Sequence, residues 1–159
     1  MLRLGLLVGS AFVVWLVLRP LWVMHGIPAF NHDWSWPPDR IQAWSQFRDA
    51  ASPFTHNNFG QFNFYIGSAP YALVIAIAVQ LFGAALGVKV LASLLVFGAV
   101  LAAFAFARRL GATTVVGASC ALFYAASPVV SNELAAGHLA YLAGYAALPV
   151  VALCGEETS

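Results

Sequence analysis

Long apolar stretches alternate with short polar breaks along this chain, and one extended polar stretch follows the first of them. Five stretches carry the apolar character of membrane helices: Leu4–Met24, Pro70–Phe82, Val88–Ala107, Thr113–Val130 and Leu134–Cys154. A helix that crosses a bilayer needs about 20 mostly apolar residues. The pattern therefore predicts an all-α fold, a multispanning membrane helix bundle of about five transmembrane helices with one large polar loop.

These stretches divide the chain into four parts. Residues 1–24 form a transmembrane anchor helix, residues 25–68 the polar loop, residues 69–154 a four-helix transmembrane region and residues 155–159 a tail. A cleaved signal peptide is the competing interpretation of the anchor, but its apolar stretch is long and no small-x-small cleavage site follows. Because the tail directly follows an apolar stretch, we expect a fragment that is completed by further sequence or by a partner subunit.

The breaks within the apolar region predict turns. Gly83 and Gly87 mark the turn between the second and third helices, and residues 131–133 (Ser-Asn-Glu) mark the one between the fourth and fifth. In the loop, Pro37 and Pro38 do not fit inside a helix. From Asp39 to Ala51, apolar side chains recur at helical spacing, which predicts a short helix at the membrane interface.

Composition supports the membrane assignment. Hydrophobic residues make up 62% of the chain and charged residues 8%, against about 25% charged residues in soluble domains. A net charge of +1 argues against a nucleic-acid partner, which would need a basic patch. Cys120 and Cys154 lie apart in apolar stretches without the spacing of metal ligands, so no metal site is predicted from them.

The loop holds the first candidate for chemistry. Asp33 lies between His32 and Trp34, with Trp36 close by. A carboxylate in this setting can act as a general base or help to hold a divalent cation such as magnesium. It can equally be a turn residue anchored by interfacial tryptophans.

Two further groups of polar residues lie in the apolar region. Arg108 and Arg109 end the third helix, where arginines bind lipid phosphates or bind the phosphate of a substrate. A polar stripe follows in the last helix, where Glu133 precedes residues that share one helical face, His138, Tyr141 and Tyr145. Such a stripe lines a transport path or serves helix packing.

Five spans place the loop, Arg108 and Arg109 on one side of the membrane, and Arg3 and Lys89 on the other. Five lysines and arginines then lie on the loop side and two on the opposite side. By the positive-inside rule, this count puts the loop in the cytoplasm.

Several segments resemble polytopic GT-C-type glycosyltransferases, in particular the membrane arabinofuranosyltransferases. The first loop carries its acidic residue in His32-Asp33-Trp34-Ser35-Trp36-Pro37, and Phe59–Gly67 is similar to a segment found before their second helix. Residues 107–111 resemble the end of their third helix, and residues 123–128 resemble the end of their fourth. Residues 137–149 resemble a related pattern of bacterial membrane proteins.

The resemblance implies an integral protein of a bacterial-type plasma membrane that transfers a sugar from a polyprenyl-phosphate donor to an extracytoplasmic glycan or lipid acceptor. Asp33 would be the catalytic base, and substrate would contact His32, Trp34, Trp36, Arg108 and Arg109. The loop would be extracytoplasmic, contrary to the charge count. A divalent cation is a candidate cofactor, although the loop has no Asp-x-Asp or Glu-x-Asp pair. Membrane lipid is a further expected partner, and the rival interpretations are a transporter fragment and a non-catalytic membrane subunit.

Overall fold

A computed structural model describes residues 2–27, 36–53 and 66–156 of the chain. All regular elements in these ranges are helical, which confirms the all-α fold class. They are α1 (Leu2–Val23), α2 (Arg40–Ala51), the 3₁₀ turn η1 (Ile66–Ser68), α3 (Ala69–Arg109), α4 (Thr114–Ala125), α5 (Pro128–Ala136) and α6 (Leu139–Glu156).

The described chain divides into two compact units. Unit 1 holds α1 and residues 92–156, and unit 2 holds residues 24–27, 36–53 and 66–91. In unit 1, α1 packs against α4 and α5 against α6, and in unit 2, α2 packs against η1.

The predicted loop helix is confirmed as α2. Asp39 caps it, because its carboxylate accepts a hydrogen bond of 2.8 Å from the backbone N–H of Gln42. Such a cap satisfies a backbone donor that the first turn of a helix leaves free. The interfacial position of α2 stays a prediction.

Gly83 interrupts α3 and separates an arm of residues 69–82 from an arm of residues 84–109. Its φ of 75° and ψ of 168° belong to a region that is essentially restricted to glycine, which confirms the turn predicted here. Gly87, which was predicted to share this turn, instead lies within the second arm. A Cβ on Gly87 would lie 3.0 Å from the backbone oxygen of Ala78, so the second arm folds back closely against the first.

The predicted turn at residues 131–133 is wrong, because these residues lie inside α5. Pro128 occupies the start of this helix, where its missing N–H and fixed φ are favourable. The helix ends at Gly137, whose left-handed φ of 83° lets its N–H donate to the carbonyl of Glu133. The fourth predicted span, Thr113–Val130, is therefore two helices with a break at residues 126–127.

Small side chains dominate the buried positions of the helices. Alanines and valines of unit 1 are fully or almost fully buried, among them Val96, Ala99, Ala121, Ala125 and Val130. Large apolar side chains instead cover much of the outer surface, including Leu81, Leu94, Leu101, Phe123 and Val151. Buried small residues between helices are typical of bundles in lipid.

Two helical stretches of the described chain are long and apolar enough to cross a membrane, Ala69–Arg109 and Thr114–Ala136. Two shorter apolar helices accompany them, Val14–Val23 and Leu139–Gly155. The predicted number of about five transmembrane helices stays a prediction.

Candidate functional site

Three residues of the predicted catalytic loop, His32, Asp33 and Trp34, lie outside the described residues. Trp36 is described and lies in unit 2. Its side chain is buried, and its indole N–H donates a 2.9 Å hydrogen bond to the carbonyl oxygen of Ala84. This bond holds the chain just after Asp33 to the first turn of the second arm of α3.

A second tryptophan reinforces this attachment. The indole N–H of Trp44, on α2, donates to the side-chain oxygen of Gln80 over 3.3 Å. Gln80 and Ala84 lie on either side of the Gly83 turn. The part of the predicted loop that holds Trp36 and Trp44 is thus fixed to that turn by two indole hydrogen bonds.

Arg108 and Arg109 are exposed at the end of α3. The Arg108 guanidinium donates to the backbone carbonyl of Ala112, and its stem lies 3.4 Å from the position of a Cβ on Gly117. These contacts hold the turn from α3 into α4. Substrate binding by the pair stays a prediction.

In unit 1, the end of α1 lies beside Ser93 of α3. Trp22, near the end of α1, donates from its indole N–H to the Ser93 hydroxyl over 3.0 Å. Arg108 lies 15 residues beyond Ser93, or about 22 Å along the helix axis. This geometry does not favour the predicted position of the arginine pair on the loop side, because the loop begins directly after α1.

The polar stripe predicted in the last helix forms a cluster with contacts from α4 and α5. The Nδ1 atom of His138 lies 2.8 Å from a carboxylate oxygen of Glu133, and both side chains are partly exposed. Tyr141 follows one turn later, with its ring centroid 5.4 Å from that of His138. Gly137 ends α5 and so lets His138 reach back to Glu133.

Tyr145 belongs to the same stripe but packs against α4. Its ring stacks on that of Tyr124, with centroids 4.2 Å apart and planes 10° from parallel. Each hydroxyl donates to the backbone carbonyl of the other tyrosine, over 2.7 Å from Tyr124 and 3.0 Å from Tyr145. The Ser127 hydroxyl lies 3.1 Å from that of Tyr145. Helix packing therefore accounts for Tyr145.

Sequence reasoning missed Tyr124 and Ser127 as members of this cluster. The available signal was their spacing of three residues at the end of an apolar stretch, immediately before Pro128. Polar groups among membrane helices usually find partners inside the bundle.

An open groove of about 520 Å³ runs beside this cluster between α5 and α6. Glu133, Tyr141 and Tyr145 contribute its polar atoms, and the rest of its wall is apolar, formed by Val129, Ala140, Gly144 and Leu148. A carboxylate and an imidazole in contact at the edge of such a groove can pass or hold a proton.

The described part of the chain contains no group of side chains that could together bind a metal ion. No three side chains of histidine, cysteine, aspartate or glutamate come together in residues 2–27, 36–53 and 66–156. His32 and Asp33 lie outside these ranges, so the divalent cation stays a prediction.

Comparison with known proteins assigns no relative. No protein-family model, no curated protein and no solved structure matches this chain.

Proposed function

We propose that this chain is the membrane-embedded N-terminal part of a glycosyltransferase that uses a polyprenyl-phosphate sugar as donor. The residue pattern of the first loop and its resemblance to GT-C-type enzymes support the proposal. The structural observation that supports the proposal is the hydrogen bond from the buried Trp36 to the Ala84 carbonyl. This bond fixes the loop at a position three residues after the proposed base.

In the proposed reaction Asp33 accepts the proton of an acceptor hydroxyl. The resulting oxygen attacks the anomeric carbon of the donor, and the bond from that carbon to the phosphate oxygen breaks. Polyprenyl phosphate leaves with the bonding electron pair, and the anomeric configuration is inverted. His32 and Trp34 would contact the sugars by hydrogen bonding and ring stacking. A role for Arg108 and Arg109 on the leaving phosphate would require the pair to share the loop's side.

The test is the substitution Asp33→Asn in the complete protein in its own membrane. We expect sugar transfer from a labelled polyprenyl-phosphate donor to fall by about 10²- to 10⁴-fold, the usual contribution of a general base. The protein level in the membrane should not change.

Asp39→Asn is the matched control for this experiment. It is the same chemical change in the same loop, and asparagine caps helices as well as aspartate, so α2 and transfer should both persist. Normal transfer by the Asp33→Asn variant would overturn the assignment of the base.

A transporter is the second candidate, favoured by the contact of Glu133 and His138 beside the groove. In that case Glu133→Gln should reduce proton-coupled flux in proteoliposomes, and Asp33→Asn should leave it unchanged. A non-catalytic membrane subunit would show neither effect.

A further inference from the structure

We propose that residues 69–82 do not cross the membrane, and that the Gly83 turn lies on the same side as the polar loop. The arm of residues 84–109 is then the first helix to return across the bilayer after α1. Arg108 and Arg109 consequently lie on the side opposite to the loop. This inference rests on contacts within each unit and stands independently of the proposed reaction.

The first observation is the position of Lys89. Its ammonium group donates a 2.6 Å hydrogen bond to the carbonyl oxygen of Met24. Met24 directly follows α1, so its carbonyl lies at the helix end where backbone acceptors lack helical partners and a cation is favourable. In the predicted five-span arrangement, these two residues lie on opposite sides of a hydrocarbon core about 30 Å thick. The contact is incompatible with that arrangement.

The second observation is the attachment of the loop to the Gly83 turn. Trp36 bonds to Ala84, and Trp44 bonds to Gln80. If residues 69–82 crossed the bilayer, their far end would lie across the membrane from the loop. Instead, the turn and the described loop residues 36–53 lie together in unit 2.

The third observation is length. Residues 69–82 make a helix of about 21 Å, and apolar segments of 10–14 residues are more typical of re-entrant or interfacial structure than of a full span. Residues 84–109 make a helix of about 39 Å, which is long enough to cross alone. Gly87 lets the two arms approach closely, since a Cβ at this position would lie only 3.0 Å from the backbone oxygen of Ala78.

This topology changes the charge count. With residues 69–82 on the loop side, Lys89 joins Arg19, Arg40 and Arg48 there, and Arg108 and Arg109 join Arg3 on the other side. Arg48 lies about 25 residues beyond the end of α1, outside the window of about 15–20 residues in which charges set orientation, so it weighs little.

The remaining count is three on the arginine-pair side and three on the loop side. The charge count therefore no longer favours a cytoplasmic loop, and anionic headgroups would attract the arginine pair to the cytoplasmic face. The conflict between the charge count and an extracytoplasmic loop then disappears.

Single cysteines test the inference in the full protein, after the two native cysteines have been replaced by alanine. Gln46→Cys, on α2, reports on the loop, Leu86→Cys on the Gly83 turn, and Leu110→Cys on the end of α3. All three native side chains are exposed. Leu81→Cys, also exposed, is a second probe of the turn in case Leu86→Cys reduces the protein level.

The cysteines are labelled with a membrane-impermeant maleimide, before and after cell permeabilisation. We expect the loop and turn probes to react in intact cells, and the Leu110 probe only after permeabilisation. The five-span arrangement would instead label the Gln46 and Leu110 probes together and the turn probes from the opposite side, and this pattern would overturn the inference. The outcome is separable from that of Asp33→Asn, because labelling does not depend on sugar transfer.

Discussion

Close contact between the two arms of α3 makes Gly87 a sensitive position. A methyl group added there would lie 3.0 Å from the oxygen and 3.1 Å from the carbon of the Ala78 carbonyl, and 3.3 Å from the nitrogen of Val79. All three are backbone atoms, so relief requires one arm to move away from the other. Overpacking of this kind typically costs about 1–3 kcal/mol.

Gly98→Ala provides the matched control for Gly87→Ala. Gly98 lies in the same arm, and a Cβ there would meet nothing within 4 Å. Both substitutions gain the same helix propensity, about 1 kcal/mol for alanine over glycine. The difference in unfolding free energy between the two variants therefore isolates the contact with Ala78 and Val79.

The assay is thermal unfolding in detergent micelles, followed by circular dichroism at 222 nm. For a chain of this size each kcal/mol moves Tm by about 2–4 °C, so the Gly87→Ala variant should unfold at least about 2 °C below the Gly98→Ala variant. Equal midpoints would refute the reasoning, because the two arms would then not be in contact at Gly87.

Two further pairs of variants test the hydrogen bonds that position the loop and the tyrosine cluster. Trp36→Phe removes a buried indole donor and its bond to the Ala84 carbonyl, so it should lower the unfolding free energy by about 0.5–1.5 kcal/mol. Trp44→Phe, with its longer bond to an exposed amide, should cost less, and an equal loss in both variants would contradict the fixed position of Trp36. Tyr145→Phe keeps the ring stacking but loses its hydroxyl contacts, so it should cost about 0.5–1.5 kcal/mol. Tyr141→Phe, at a side chain that is 72% exposed, should leave the unfolding midpoint unchanged, and a larger loss there than at Tyr145 would count against the observed cluster.

Local signals were sufficient for several elements of this fold. Asp39 followed by helical spacing of apolar residues predicted α2, and a glycine after a long apolar stretch predicted the turn at Gly83. Both signals act through the backbone nearby: a side chain that caps a helix and a residue that tolerates positive φ. They need no knowledge of tertiary structure.

Other elements depend on contacts that no local pattern records. Residues 131–133 have the composition of a turn, but Pro128 and Gly137 on either side delimit a helix that includes them. Gly87 was given the same role as Gly83 because both are glycines, whereas its function is to let two helices approach. The membrane side of Arg108 was predicted by counting the spans before it. If residues 69–82 do not cross the membrane, as proposed above, every later residue changes side.

The bond between Lys89 and Met24 joins residues 65 positions apart, and this separation has a consequence for synthesis of the chain. At about 5–20 residues per second, the ribosome completes Lys89 about 3–13 seconds after Met24. During this interval α1 lacks its lysine cap, while the ribosome adds the residues between them. The cap therefore forms only once the loop has been made, and its formation marks the moment at which the start of the loop and the beginning of the returning helix become joined.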